Sequence, residues 1–396
     1  MADPIRIMIA AGGTGGHVFP AIAIADAIRE EQPGAAILFV GTRDRMEWKA
    51  VPQAGYEIAA IWISGFHRRL TLKNLLFPLK LLVSMWQSRH LVRSFRPDAM
   101  ISCGGFASGP AGWVAARYGI PLFLQEQNSY PGVTNRKLAS SAQLIFTAFE
   151  DAAKWFPEQK VRHEGNPVRK SLVSDVRDPE VRSEAFTHFG FDPGRPVLLV
   201  MGGSGGAKSI NEAMFRHLET LHDSLGFQIL WQCGKHYLAD VKERRNSSGN
   251  TPADYPDLRL YDFMDDVSKA WAAADLVVSR AGAATCAELM ATGKAGILVP
   301  SPWVAGDHQT HNARALSDRG AAVLIKDEDL DEQLADTISA LIGDPSRRKE
   351  IEKKAAAMAR PDAAASIARQ ILDHITKASA REKEPGNHNQ TRTTSA

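Results

Sequence analysis

The chain has 396 residues, 44% of them hydrophobic and 23% charged, with a formal net charge of +2. That length exceeds one ordinary core, so two domains are expected, with the composition of a soluble globular protein. The near-zero charge excludes a general nucleic-acid-binding field, and Cys103, Cys233 and Cys286 are too scattered for a disulfide framework or a zinc site, which fits a reducing cytoplasm. Gly12 opens a turn where a signal peptide would have to stay apolar. No apolar run reaches the roughly 18 residues that span a bilayer, so any membrane contact is expected to be peripheral.

In chain order, short apolar runs at 5–10, 37–40, 58–63, 99–102 and 122–124 read as strands. A second series follows at 197–201, 228–232, 259–261, 276–279, 296–299 and 322–325. Stretches at 21–31, 109–118, 210–222, 284–292 and 308–318 read as helices between them. This alternation predicts an α/β fold of parallel sheets covered on both faces. Each series opens with strand, glycine turn and helix, which predicts two Rossmann-like domains with ligands at the strand C-termini, facing a shared cleft. The expected division is a first domain at 1–170, a second at 171–362, a helix at 363–378 packing back on the first, and a disordered polar tail at 379–396.

The glycine turns carry the chemistry. IRIMIAAGGTGGHVFP at 5–20 runs from an apolar stretch into glycines, and VLLVMGGSGGAKSIN at 197–211 repeats the pattern. Glycine lets the backbone turn tightly against a ligand, and the helix that follows offers N–H groups and partial positive charge to an anion. Val18 stands where a dinucleotide fingerprint needs its third glycine, and Ala207 where a P-loop needs one before its lysine. His17, at the junction of first turn and helix, is placed to act as a base near neutral pH or simply to bond a loop.

Three further features follow. Glu288, one turn inside a helix after SRAGAAT, could accept ribose hydroxyls or be merely solvated. GDHQTHNA at 306–313 gathers Asp307, His308, Gln309, His311 and Asn312, which suits sugar hydroxyls or a metal. Asp327–Asp329 fits a metal-binding DxD, although a solvated helix start explains it as well. From 58 to 97 there is no Asp or Glu, while Arg68, Arg69, Lys73, Lys80, Arg89, Arg93 and Arg96 are interleaved with leucines and Trp86. Such a segment suits the interface of an anionic membrane, or a core helix with basic flanks.

The stretches GGTGGHVFPAIAIA, GTRDRMEWKAVPQAGYEI, ISGF, PDAMISCGGFASGPAG, GIPLFLQEQNSYPGVTNRKLA, GNPVR, GGSGGAKSIN, AADLVVSRAGAATCAEL and DHQTHNA follow one another in order. Together they resemble the MurG family, the UDP-N-acetylglucosamine:lipid I N-acetylglucosaminyltransferases of bacterial peptidoglycan synthesis. The resemblance implies a GT-B fold and inverting transfer of N-acetylglucosamine from UDP to the C4 hydroxyl of the muramoyl sugar of lipid I, giving lipid II. It implies no cofactor and no metal. By position it assigns donor contacts to Thr14, Gly15, Gly16, Asn128, Arg169, Ser204, Met264, Ala283, Ala284, Thr285, Cys286, Ala287, Glu288 and Gln309. His17 is the expected base and Glu126 a second candidate; Gly104, Gly105 and Phe106 would receive the acceptor, and Leu79, Leu82 and Trp86 would touch the membrane.

The implied partners are UDP-N-acetylglucosamine, lipid I, the anionic cytoplasmic surface of the cell membrane and other cell-wall synthesis proteins, with no nucleic acid. Three positions depart from the family pattern: Gln125 replaces the histidine of HEQN, Phe106 a tyrosine, and Gly205 a glutamine. A related synthase that glycosylates diacylglycerol, a UDP-sugar epimerase and a non-catalytic UDP-sugar-binding scaffold are the alternative readings.

Overall fold

The computed structural model describes residues 4–65, 75–174, 176, 178–203, 205–247 and 255–383. Two parallel sheets organise them. The first comprises β1 (Arg6–Ala10), β2 (Ala36–Gly41), β3 (Glu57–Ala60), β4 (Ala99–Ser102), β5 (Leu122–Glu126), β6 (Leu144–Thr147) and β7 (Val161–His163), in the order β3-β2-β1-β4-β5-β6-β7. The second comprises β8 (Val197–Met201), β9 (Gln228–Gln232), β10 (Leu258–Tyr261), β11 (Leu276–Ser279), β12 (Ala295–Leu298) and β13 (Val323–Leu324), in the order β10-β9-β8-β11-β12-β13.

The central strands are largely apolar because both faces are covered. β4, β5, β8, β9, β11 and β12 are buried at every position. On one face of the first sheet, Val18, Ile24 and Ile28 of α1 (Gly15–Glu31) pack with Ile367, Ile371 and Ile375 of the final helix (Ala363–Lys383). The chain therefore leaves the second sheet and returns to the first. Residues 384–396 of the expected tail lie outside the described residues.

The strand order reverses between β1 and β4 in one sheet and between β8 and β11 in the other, which opens a crevice at each strand C-terminal edge. The loops at these switch points are the first glycine turn and Cys103–Phe106 in one sheet, and the second glycine turn and 280–283 in the other. The fold thus delivers both turns to the same kind of place.

Three local differences from the sequence expectations have physical causes. β6 and β7 escape the reading, β7 because it is a three-residue edge strand, VRH, with no buried position. α1 begins at Gly15 rather than 21 and carries Pro20 inside it, losing one ladder bond early in the helix. The helix Phe77–Phe95, α2 here, buries only Ser84, Ser88 and Val92. Leu79, Leu82 and Trp86 face outward, with Trp86 69% exposed, so the core reading of this segment is set aside. Arg68, Arg69 and Lys73 lie outside the described residues. Among the described residues, no helix is long and apolar enough to cross a membrane.

Candidate active site

The first turn is held from below by a carboxylate. Glu47, 1% exposed, accepts hydrogen bonds from the backbone N–H groups of Gly13 (3.0 Å) and Thr42 (3.1 Å) and from the Thr42 hydroxyl (2.8 Å). Nothing in the sequence pattern marks this residue, which reads as an ordinary helix-start Glu. From above, Gly105 (φ +85°) adopts a left-handed backbone, and any β-carbon there would collide with the Gly12 carbonyl. The two loops of the switch point are thereby pressed together, and the Phe106 ring lies against Gly65 and Gly13.

His17 occupies the first turn of α1, its Nδ1 3.0 Å from the Thr14 hydroxyl. A β-carbon on Gly104 would stand 2.8 Å from the His17 ring, so the CGG loop forms one wall of its pocket. Desolvation pushes the imidazole down to about 4; His308 adds to the shift, while Glu47 and the Gly12 carbonyl oppose it. The histidine is therefore neutral at physiological pH, the form that can accept a proton.

Glu126, 2% exposed, accepts from the backbone N–H and side-chain amide of Asn128 (3.1 Å each), the N–H of Gly132 (3.1 Å) and the amide of Asn135 (3.0 Å). Burial raises its carboxyl while these donors pull it down. With both oxygens engaged, Glu126 is suited to shaping the 126–135 loop rather than to taking a proton from a substrate. Gln125, where the family has a histidine, is fully buried and donates to Asn166 (3.2 Å). This departure lies beneath the loop rather than on its surface.

In the second domain, the glycine turn leads into the helix Lys208–Glu219 (α3). Ser204 lies outside the described residues. Gly206 (φ +78°) packs so closely on Cys233 and Gly234 that no side chain fits. Gln232, at the end of β9, donates to the Gly203 carbonyl (3.0 Å) and accepts from the N–H of the expected contact Met264 (3.2 Å), tying it to the second glycine turn.

Beneath the turn, Arg280 pairs with Asp327, bonds the Ser209 hydroxyl (2.8 Å), and donates to the carbonyls of Val299 (3.2 Å) and Pro300 (3.3 Å). Asp327 also accepts from Ser209 (2.6 Å). The DxD-like run is thus neither solvated at Asp327 nor available as a ligand pair, because that carboxylate belongs to an arginine.

The loop after β11 starts the helix Ala283–Thr292 (α4). Ala283, Cys286 and Ala287 are buried, whereas Ala284, Thr285 and Glu288 are half-buried along the helix start. Desolvation pushes the Glu288 carboxyl up to about 7, against the charge of Arg169. Arg169 itself lies over the Phe19 ring of α1, 4.8 Å from its centroid. In the helix His308–Ser317 (α5), Gln309 accepts from the Ser301 N–H (2.8 Å) and so fixes the loop that precedes it.

The two halves meet through a small set of bonds. Asn312, fully buried, accepts from the Ser129 N–H (2.9 Å) and donates to the Asn128 carboxamide oxygen (3.2 Å) and the Ala281 carbonyl (3.3 Å). His308 Nδ1 lies 2.9 Å from the Tyr130 carbonyl, and the His311 ring stacks on Tyr130 at 5.1 Å. Asn166 donates to the Ala283 carbonyl (3.4 Å). Thr14, His17, Asn128, Arg169, Glu288 and Gln309 thus belong to the loops and helix starts on the two sides of these bonds.

Residues 7–147 match the Glycosyltransferase family 28 N-terminal domain and residues 197–367 the Glycosyltransferase family 28 C-terminal domain. Curated relatives from Bacteroides fragilis (42% identical over 370 residues, 93% of this chain and 96% of that one) and Cytophaga hutchinsonii (44% over 372 residues, 94% and 97%) carry one name. Both are called UDP-N-acetylglucosamine--N-acetylmuramyl-(pentapeptide) pyrophosphoryl-undecaprenol N-acetylglucosamine transferase.

The chain belongs to the MurG branch of glycosyltransferase family 28.

The crystal structure of Acinetobacter baumannii MurG superposes with a TM-score of 0.71 at 28% identity, covering 94% of this chain and all of that one. The fold is therefore the GT-B arrangement of two Rossmann-like domains, as the family resemblance implies. What the family pattern leaves unmarked is the support beneath the site: Glu47, Arg280 with Asp327, and Gln125 with Asn166.

Glu47 yields a direct test. Glu47→Ala leaves three buried donors without an acceptor and is expected to cost about 3 kcal/mol or more in urea unfolding. An unchanged unfolding midpoint would mean that the carboxylate does not hold the turn.

Proposed function

We infer that the protein transfers N-acetylglucosamine from UDP-N-acetylglucosamine to the C4 hydroxyl of the muramoyl sugar of lipid I, with inversion, forming lipid II. The observation that carries this reading is a histidine kept neutral at the mouth of the first glycine turn, facing the second domain across the cleft. Inverting transfer needs a base on the acceptor hydroxyl and a means of stabilising the leaving diphosphate.

His17 takes the C4 hydroxyl proton as that oxygen forms its bond to the anomeric carbon of the donor sugar. The bond from that carbon to the UDP oxygen breaks on the opposite face, and the electron pair leaves with UDP. The second turn and the N-terminus of α3, with Ser204, receive the diphosphate charge. Glu288 holds the ribose, Arg169 and the start of α4 flank the nucleotide, and Gln309 and Asn128 hold the sugar. Gly104, Gly105 and Phe106 line the acceptor side. Glu126 acts by positioning Asn128.

The acceptor is a lipid, so the protein works at a membrane surface. The support for this is the exposed stripe of Leu79, Leu82 and Trp86, prolonged by Arg89 and Arg93 on the same helix and by Trp113 with Arg117 beside it. Apolar side chains enter the interface and cations meet anionic headgroups. We place the protein at the cytoplasmic face of the cell membrane on this ground, in the company of other cell-wall synthesis proteins.

Labelled UDP-N-acetylglucosamine offered with either a lipid I analogue or diacylglycerol is expected to label only the former. Transfer to diacylglycerol alone, or to neither, contradicts the assignment. In the same assay His17→Ala is expected to lose about 10²- to 10⁴-fold in turnover while still binding UDP; near-normal turnover would remove His17 as the base. Replacing Leu79, Leu82 and Trp86 together by Ser is expected to release the protein from anionic vesicles in a flotation assay, and undiminished flotation would refute the docking face.

A further inference from the structure

The exposed stripe on α2 ends in a feature that the transfer reaction does not use. Leu79, Leu82, Trp86, Arg89 and Arg93 are spaced three and four residues apart, so they share one helix face over about 21 Å. Past Arg93, an open depression of about 540 Å³ lies between the last turn of α2 and the end of the helix Ser108–Arg117. Val92, Pro97 and Ile120 form its apolar floor, and Arg93, Arg96 and Tyr118 stand exposed around it.

The rim is cationic. Arg93 lies over the Tyr118 ring, 5.9 Å from its centroid, and among the described residues neither Arg93 nor Arg96 is in an ion pair. The nearest carboxylate along the chain, Asp98, accepts from the Arg6 N–H (2.7 Å), and Arg6 brings a further guanidinium 5.1 Å from the Phe95 ring. Arg96 also holds a left-handed backbone (φ +50°), a conformation that glycine adopts at helix ends and other residues disfavour. Glycine would relax that backbone, so what arginine adds at 96 is its side chain. Cations in the last turn also suit the negative end of a helix, but that role asks nothing of the apolar floor between them.

We propose that this depression is a headgroup site, in which Arg93 and Arg96 clasp the phosphate of an anionic membrane lipid while the apolar floor receives the carbon atoms of its glycerol. Arginine suits phosphate because its planar fork donates two hydrogen bonds at once. The apolar floor, and the membrane-facing stripe that leads to it, favour a lipid over a free phosphate ion. Pro97 precedes β4 and Ile120 precedes β5, at the opposite edge of the sheet from the cleft, so this phosphate is not the acceptor's. With Leu79, Leu82 and Trp86 immersed along the stripe and a phosphate held at its end, α2 is fixed parallel to the membrane plane rather than free to swing about its apolar half. The proposal rests on the reading of the α2 stripe as the docking face.

The test compares flotation of the full-length protein on mixed phosphatidylglycerol and phosphatidylcholine vesicles for two double variants that remove the same charge. Arg93→Gln with Arg96→Gly strips the site of its cations, and Arg89→Gln with Arg117→Gln removes two from the same face outside it. The first pair is expected to weaken binding about tenfold or more beyond the second; equal losses would mean diffuse attraction and overturn the site. Arg96→Gly alone is expected to keep or raise the urea midpoint, because glycine suits the left-handed backbone; a lowered midpoint would make Arg96 a support of the fold and overturn its assignment. Release of the unmodified protein from these vesicles by inorganic phosphate at constant ionic strength would reveal a free-anion site and overturn the lipid. Undiminished flotation after Leu79, Leu82 and Trp86 are replaced by Ser would sink the docking face itself, whereas release by that triple variant with equal losses in the two double variants would sink only the headgroup site.

Discussion

Asn312 is a buried carboxamide with partners on both sides of the cleft: Ser129 and Asn128 in the first domain, Ala281 in the second. Its bonds join residues far apart in the chain, and the site depends on them because no single domain contains it. His17 and Glu288 lie near the starts of helices that follow strands of different sheets. On the proposed reading, only a fixed relation between the two switch points brings the proposed base, ribose-binding carboxylate and diphosphate-binding turn to one substrate pair. A buried amide suits this task, since leaving its donors or acceptor unpaired on separation is costly enough to favour one closed geometry.

Around that link, charge is arranged so that supporting groups are satisfied internally and the reactive ones are not. Glu47 and Glu126 are buried and the Arg280–Asp327 pair partly so, and the bonds each makes set the shape of a loop. His17 and Glu288 are shifted by desolvation toward their neutral forms. Perturbed groups at a cleft, backed by rigid and neutralised supports, are the pattern expected where proton transfer is to occur.

Much of this was legible in the sequence, and for identifiable reasons. The two glycine turns announced themselves because a strand that ends in glycines before a helix has few other uses. The buried strands β1, β8 and β11 stood out as continuous apolar runs. The family resemblance implied that the final helix packs back on the first domain, and its isoleucines are found there. Hidden from the sequence were contacts between residues far apart in the chain: Glu47 under Gly13, Arg280 with Asp327, and Asn312 with Asn128. A lone Glu or Asn carries no local signal of burial, because its partners are set by topology rather than spacing. The same blindness made Asp327 look solvated.

The central claim is that donor and acceptor occupy opposite jaws, with the nucleotide on the second and the base on the first. A crystal structure with UDP-N-acetylglucosamine bound tests this most directly. The account predicts the diphosphate at the 202–207 turn, the ribose hydroxyls within hydrogen-bond distance of Glu288, and the anomeric carbon facing His17 across the cleft. A nucleotide seated on the first turn, at 12–16, would contradict it.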